Sequence, residues 1–293
     1  MNDPGFAIAT EERRRLLEAN AAAARFYRRE LLRATGGWPV DYLKAMGAER
    51  VLSTDSTWRI GYAPDTWSNL VDHLRSEGFS HATMVRAGLM TWTADGDATD
   101  RYRDQLMLIA RNDKLLPVGF IGIGPDGQAR SLTPDTAIHR PSNVLVGIEE
   151  QLDLLRDGAS PVIVDDPVDA IALGELGGQW AGVPVCGKGL STAQARMLRK
   201  FSMSDTAVVV VSGNDQEQKL STGYMLDLAL HFDRVRAFEL PCSLREFVSV
   251  EDGRAQLLEL LTTEFVTVVH RSGGRAAADM SHDPEPPDRG PEL

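Results

Sequence analysis

The second half of the chain repeats one pattern, in which a short apolar run is followed by residues with helical spacing. Strands that alternate with helices in this way predict a parallel sheet with helical crossovers. The predicted strands are Val162–Val164, Val183–Cys186, Ala207–Val211 and Arg236–Leu240, and the predicted helices are Asp169–Leu176, Thr192–Phe201 and Leu220–Phe232. This half is therefore expected to be an α/β domain.

The first half begins with one long helix, predicted over Glu11–Thr35 from its Ala, Leu, Arg and Glu content. Shorter elements follow: helices at Pro39–Met46, Asp65–Glu77 and His81–Ala87, and strands at Trp58–Tyr62, Leu106–Ala110 and Leu115–Ile123. The predicted fold class is α/β, with an α+β N-terminal lobe at 11–155 and a parallel-sheet domain at 156–248. A helical extension at 249–271 and a disordered acidic tail at 272–293 complete the division.

Four arginines recur at helical spacing along the first helix, at Arg25, Arg28, Arg29 and Arg33. Such a stripe is usually a solvated face. The alternative is a surface that binds phosphates, and the sequence leaves both open.

Carboxylates directly follow the first strand of the repeating pattern. Asp165 and Asp166 come after Val164, and Asp169 falls in the first turn of the next helix. Open α/β sheets bind ligands where a strand ends before a helix, so a metal or nucleotide role is one interpretation. The structural alternative is that these acids cap the helix and complement its dipole.

Two further residue types have a functional and a structural interpretation. Lys188 lies between two glycines and is either an anion-binding residue or a solvated lysine. Tryptophans can serve as stacking platforms for bases, but packing is the commoner role. We therefore predict packing for Trp58, Trp67, Trp92 and Trp180.

Composition narrows the class of protein. The net charge of −11 over 293 residues argues against an indiscriminate nucleic-acid binder, although Glu11–Arg50 carries nine basic against six acidic residues. Neither a membrane-spanning run nor a signal peptide is visible, so a cytoplasmic location is expected. Cys186 and Cys242 form no CxxC spacing, which predicts neither a zinc site nor a disulfide framework.

The order of several segments resembles the catalytic core of bacterial DnaG-type DNA primases. The resemblance runs from about Ala22 to Phe247 and includes FYRRELL, WRIGYAPDTWSNLVDHLRSEGF, DRYRDQLMLIARND, VGFIGI, LTPDT and LVGI. The stretch Pro161–Leu240 resembles the Toprim domain of that family, the metal-binding fold shared with topoisomerases. No single segment is specific, and their shared order carries the resemblance.

The resemblance implies synthesis of RNA primers on single-stranded DNA from nucleoside triphosphates, with Mg²⁺ or Mn²⁺ held by carboxylates. Asp165 and Asp169 match the first acidic motif of the Toprim pattern and are the candidate catalytic residues. The later Asp-Gly-Asp becomes Ser212-Gly213-Asn214, so two carboxylates are replaced by neutral groups. The candidate metal ligands are Asp165, Asn214 and Asp215, the last only with a shift of the turn.

The basic groups are also fewer than the family pattern has. Ile123 and Ala129 replace an arginine and a lysine of that pattern. The remaining candidate nucleic-acid or nucleotide ligands are Arg101, Arg103, Arg130 and Lys188.

Three functions fit this resemblance. The first is a primase-like enzyme whose primer synthesis is weak or lost. The second is a non-catalytic protein that binds single-stranded DNA or a replication or conjugation protein. A Toprim nuclease ranks last, because it too needs the missing acids. The zinc-binding and helicase-binding modules of the family are not recognisable, so we expect a separate zinc-module, helicase or relaxase chain as partner.

Overall fold

A computed structural model describes residues 9–127, 129–174, 176–185, 189–212, 223–263 and 269–270, without the side chains of 129–131, 212, 245 and 269–270. The helices are α1 Thr10–Arg33, α2 Trp38–Ala45, α3 Asn69–Ser76, α4 His81–Arg86, α5 Leu152–Arg156, α6 Pro167–Gly174, α7 Thr192–Phe201, α8 over 223–229, α9 Leu244–Ser249 and α10 Gly253–Thr262. The strands are β1 Gly61–Ala63, β2 Met90–Trp92, β3 Ala98–Asp100, β4 Gln105–Arg111, β5 Pro117–Ile123, β6 Ala129–Leu132, β7 Leu145–Val146, β8 Ser160–Val164, β9 Trp180–Pro184, β10 Thr206–Ser212, β11 Arg234–Leu240 and β12 Val269–His270.

An antiparallel sheet, here called the N-terminal sheet, has the order β1-β4-β5-β6, with β7 also paired to β4. Helix α1 packs across this sheet and approaches β1 closely. A Cβ atom on Gly61 would lie 2.6 Å from the backbone carbon of Tyr27, which is too close for any larger residue. The long helix predicted from the sequence is confirmed, and glycine at position 61 lets it lie against the strand.

The second sheet, here called the C-terminal sheet, has the order β12-β11-β10-β8-β9. Strands β8, β9, β10 and β11 are parallel, and β12 adds an antiparallel edge. The chain goes from β8 to β9 on one side and then crosses to β10 on the other side of β8. The boundary between β8 and β10 is therefore the switch point of the sheet, where ligands bind in open α/β folds.

Two apolar cores hold these elements together. The larger one contains Tyr27 of α1 and Phe120 of β5, and it continues into one face of the C-terminal sheet through Val162 and Val208. The smaller core covers the opposite face of that sheet. The predicted α/β class is confirmed, whereas the predicted domain boundaries remain predictions.

Strand β9 begins three residues earlier than predicted, because other parts of the chain contact Gly182 in the middle of the strand and hold it in place. A Cβ on Gly182 would lie 2.6 Å from the Cα of Ala170, so α6 packs directly on this strand. The side chain of Gln151 also pairs with the backbone of Gly182 in both directions, accepting from its N–H at 2.9 Å. These contacts depend on residues far away in the sequence.

The sequence analysis did not predict the β2–β3 hairpin, β6, α9 or β12. The β2–β3 hairpin has three residues a strand, too few for a period to be visible, and β6 lies within a polar stretch. Within the described ranges, no helix combines the length and apolar character that crossing a membrane requires.

Candidate nucleic-acid surface and nucleotide edge

The first acid of the DRYR segment stabilises a helix. Asp100 accepts hydrogen bonds from the N–H groups of Leu70 (3.0 Å) and Val71 (2.9 Å), the first turn of α3. Burial raises the pKa of Asp100 to about 6, although the two N–H groups act in the opposite direction. This cap also explains why α3 begins at Asn69 and not at Asp65, where helical spacing placed it.

The aromatic residue of the same segment joins three of the recognised segments. The hydroxyl of Tyr102 lies 2.6 Å from Oγ1 of Thr133, which accepts the N–H of Phe120 at 2.7 Å. All three residues are buried, and the rings of Tyr102 and Phe120 pack edge-to-face. We call Tyr102, Phe120 and Thr133 the motif hub, because they connect DRYR, VGFIGI and LTPDT.

One arginine of the DRYR segment lies beside an exposed tryptophan. Arg103 donates to Asp65 at 3.1 Å, and its guanidinium carbon lies 5.0 Å from the ring centre of Trp67. Trp67 is 53% exposed, so its indole is available to a ligand. Arg101 is half-buried, and its Nε has no hydrogen-bond partner among the described residues.

The predicted packing role is confirmed for two tryptophans and stays a prediction for the other two. Trp58 and Trp180 are buried, whereas Trp67 and Trp92 are about half exposed. The position of Trp67 beside Arg103 suggests a stacking platform next to a cation, an arrangement typical of single-strand binding. Two helices and a hairpin separate these two residues in the sequence, so no local signal joined them.

Asp104 is a residue of the segment that the sequence analysis did not identify. Its backbone φ of 50° is in the left-handed region, which aspartate tolerates better than most residues. Its carboxylate accepts hydrogen bonds from the indole of Trp38 and from the hydroxyl of Tyr62, the latter at 2.9 Å. These bonds fix the backbone immediately after Arg103.

The arginine stripe on α1 is neither uniformly solvated nor uniformly free for phosphates. Arg28 is buried and donates to the carbonyls of Val51 (2.8 Å), Ile60 (3.0 Å) and Ser53 (2.6 Å). The solvated interpretation is wrong for Arg28, because this buried residue links the segment before β1 to α1. Arg25, Arg29 and Arg33 are exposed or half-exposed.

The acids predicted at the switch point all lie where β8 passes into α6. Asp166 accepts the N–H of Val168 at 2.8 Å, so the capping interpretation is confirmed for it. Asp165 accepts the hydroxyl of Tyr224 at 3.4 Å, and Asp169 is 4% exposed in the first turn of α6. Tyr224 is a contact that the sequence pattern does not predict.

Several predicted ligands are not tested by the structure. Lys188, Asn214 and Asp215 lie outside the described residues, and Arg130 is on β6 with its side chain not described. Over the described ranges, no group of three histidine, cysteine, aspartate or glutamate side chains could hold a metal ion. The described acids therefore do not by themselves make a complete metal site, and Asp165 would need further ligands.

Comparisons with known proteins agree with the geometry. Residues 26–151 match the family model for the N-terminal domain of the DNA primase catalytic core. The resemblance to the DnaG-type primase core is confirmed. The DNA primase of Deinococcus radiodurans is 30% identical over 232 residues, which is 78% of this chain and 39% of that protein. The chain thus spans well under half the length of this relative.

Solved structures extend the likeness beyond the N-terminal sheet. The RNA polymerase domain of Mycobacterium tuberculosis primase DnaG has a TM-score of 0.68 and 26% identity, covering 85% of this chain and 82% of that one. A DnaG primase catalytic domain bound to ssDNA has a TM-score of 0.71 and 19% identity, covering 86% and 80%. Both sheets of this chain therefore belong to the primase-core fold.

Proposed function

We propose that this chain is a DnaG-like primase-core protein that acts on single-stranded DNA in replication or mobile-element transfer. The carboxyl edge of its Toprim-type C-terminal sheet, where a nucleotide would bind, has lost carboxylates, so that primer synthesis is weak or lost. The proposal includes a separate zinc-module, helicase or relaxase chain as partner, and a cytoplasmic location.

The observation that carries this proposal is the pairing of β8 with β10. Val208 pairs with Val162 and Val209 with Ile163, so the carboxyl ends of the two strands reach the same edge of the sheet. Asp165 follows β8, and Ser212 ends β10. Ser212 stands where the resemblance requires the first acid of Asp-Gly-Asp, next to the strand that still ends in an acid.

A divalent cation, when bound, would neutralise charge on the triphosphate. Mg²⁺ prefers carboxylate oxygens and keeps several waters, so Asp165 can supply one ligand while Ser212 is a poor second. Asp169 is buried in the first turn of α6, and Tyr224 orients the carboxylate of Asp165. Of these two acids, Asp165 is the one that we expect to offer its carboxylate to a cation at the edge.

The DNA-binding part of the proposal rests on Trp67 and Arg103. A guanidinium over an exposed indole offers both a stacking surface and a positive charge to an unpaired nucleotide. The contact with Asp65 and the two bonds to Asp104 hold this segment in place. Arg101 adds a second cation to the same segment.

The proposal that the chain retains weak primase activity is tested by an assay of template-directed primer synthesis with Mg²⁺ or Mn²⁺, in the presence of a zinc-module chain. We expect weak product that Asp165→Asn abolishes, while circular dichroism shows an unchanged fold. The matched control is Asp157→Asn, an exposed acid elsewhere on the chain. Absence of product with both metals excludes primer synthesis.

The second candidate function is non-catalytic binding of single-stranded DNA or of a replication or conjugation protein. The neutral residues Ser212 and Asn214 favour it. In that case Asp165→Asn leaves DNA affinity unchanged, whereas replacing Arg101 or Lys188 weakens it. Titration of labelled oligo-dT against these variants, at two salt concentrations, separates the two functions.

A further inference from the structure

A second basic surface lies on the α1 side of the N-terminal sheet. It is a cleft of about 650 Å³ between α1 and strands β4 and β5. We call it the arginine cleft. Its lining residues are Ala21, Ala24, Arg25, Arg28, Arg29, Leu32, Arg33, Arg59, Ile109, Arg111, Pro117 and Glu149.

Strand alternation fixes the side on which this cleft lies. Ile109 pairs with Phe120, whose ring packs on Tyr27 of α1, so these side chains are on the α1 side. Ile109 and Arg111 both line the cleft and lie two residues apart on β4, as the alternation of side chains along a strand requires. The arginine cleft therefore lies on the α1 side of the N-terminal sheet.

The cleft is positively charged although the whole chain carries −11. Its lining has six arginines and one glutamate, and three glutamates that pair with lining arginines, Glu30, Glu77 and Glu150, bring the acids to four. Arg59 is exposed, and no carboxylate lies within 4 Å of it among the described residues. Positive charge thus remains available to a ligand.

Arg28 fixes the deepest positive charge of the cleft. Its guanidinium is held by three backbone carbonyls and has no carboxylate partner among the described side chains. Burial and the nearby charge of Arg59 both lower the pKa of Arg28. A negatively charged group placed between Arg28 and Arg59 would relieve this repulsion.

The rest of the lining is apolar, which distinguishes a peptide from a phosphate backbone. Ala21, Ala24 and Leu32 contribute from α1, and Ile109 and Pro117 from the strands. The alanines leave room above the sheet for an inserted aliphatic side chain. Phosphates and sugars have no apolar side chain to cover this floor, whereas an amphipathic helix has both apolar anchors and carboxylates.

We propose that the arginine cleft is a docking site for an acidic amphipathic segment of a partner protein. Its carboxylates pair with Arg59 and Arg33, and its leucine-type side chains cover Ala24 and Ile109. The lining of the cleft includes neither Trp67 nor Arg103, and its proposed role does not depend on primer synthesis.

The test uses the full chain and a fluorescein-labelled synthetic peptide of about 16 residues, long enough for four helical turns, with glutamates on one face and leucines on the other. We expect saturable binding that Arg33→Glu with Arg59→Glu weakens by at least about tenfold. Arg156→Glu, which reverses an exposed arginine on α5, is the matched control and should leave affinity unchanged. Equal weakening by the control variant overturns the proposal.

Two competitors test the chemistry of the occupant. A peptide with every leucine changed to serine should bind at least about tenfold more weakly, because the apolar lining of the cleft stays exposed to water. Oligo-dT of about 20 nucleotides should not displace the labelled peptide at moderate salt. If the serine peptide binds equally well, the cleft binds peptides through charge alone. If oligo-dT displaces the labelled peptide, the cleft is a nucleic-acid surface. Either result contradicts the proposal.

Discussion

In the N-terminal sheet, the motif hub of Tyr102, Phe120 and Thr133 is buried and bonded within itself. At the carboxyl edge of the C-terminal sheet, Asp165 follows β8 and β10 ends at Ser212, where we propose that an acid of the family pattern has been lost. Both regions belong to one primase-core fold. The first is held together by buried contacts between distant segments, and we propose that the second has changed in its chemistry.

The difference follows from what each residue contributes to stability. Removing a buried side chain leaves a cavity that its neighbours cannot fill, so replacement at the hub is costly. A carboxylate at the open end of a strand contributes little to packing, and its replacement by serine removes a ligand without disturbing the core. A fold can therefore persist while the chemistry at its edge changes.

The largest effect is expected from breaking the hub. Phe120→Ala removes a fully buried ring that contacts Tyr27 and Tyr102, and should lower the free energy of unfolding by about 3–5 kcal/mol. Urea denaturation measures the loss. Leu116→Ala, at an exposed apolar residue just before β5, is the control and should cost less than about 1 kcal/mol. Equal losses would mean that the hub has no special role.

Asp100 tests the same region through pH. Its pKa is raised from 3.8 to about 6 in the folded protein, so it favours folding less as pH rises from about 4 to about 6. Asp100→Asn cannot ionise, so its stability relative to the wild type should rise over that window, by up to roughly 3 kcal/mol. Chemical denaturation across pH 4–7, with Asp157→Asn as control, measures the difference. A difference that falls with pH contradicts this assignment.

The exposed surface beside the hub is tested by removing its stacking platform. Trp67→Ala should weaken binding of oligo-dT by about tenfold, since one stacked base is worth roughly 1–3 kcal/mol. Trp92→Ala removes an equally exposed indole from the β2–β3 hairpin and should change affinity less than about twofold. Fluorescence anisotropy compares the two variants. A larger loss for Trp92→Ala would move the DNA surface to the hairpin.

The smallest effect is expected from removing the charge of Arg103, which changes the salt dependence of DNA binding. Arg103→Gln should reduce the slope of log affinity against log salt by about 0.7, the value for one phosphate contact on a single strand. The measurement is a salt series of the same anisotropy titration. Arg156→Gln provides the control at an exposed arginine on α5. An unchanged slope for Arg103→Gln would show that Arg103 contacts no phosphate.

The sequence predicted what local periodicity determines. Apolar spacing predicts the long helix α1, helix α7, and the alternation of strands and helices around β8 and β10. The switch point then follows from the order of the strands in the sheet. The sequence could not show contacts between distant segments. The cap on α3 comes from Asp100, and β9 is set by Gly182 against Ala170.

The candidate site divides in the same way. Asp165 was predicted because it directly follows a strand, and the structure places it at the switch point. Trp67, Asp104 and Tyr224 were missed because each acquires its role only through a tertiary contact. Arg28 was assigned to a surface because it recurs at helical spacing with Arg25, Arg29 and Arg33, yet it is buried and bonded to three backbone carbonyls.

Calorimetric titration with Mn²⁺ tests the central claim most directly, by comparing the wild type with the variant Ser212→Asp, Asn214→Asp. The loss of edge carboxylates predicts that the variant binds Mn²⁺ at least about tenfold more tightly, and that adding Asp165→Asn removes the gain. Wild-type affinity equal to that of the variant, or a gain that survives Asp165→Asn, would contradict it.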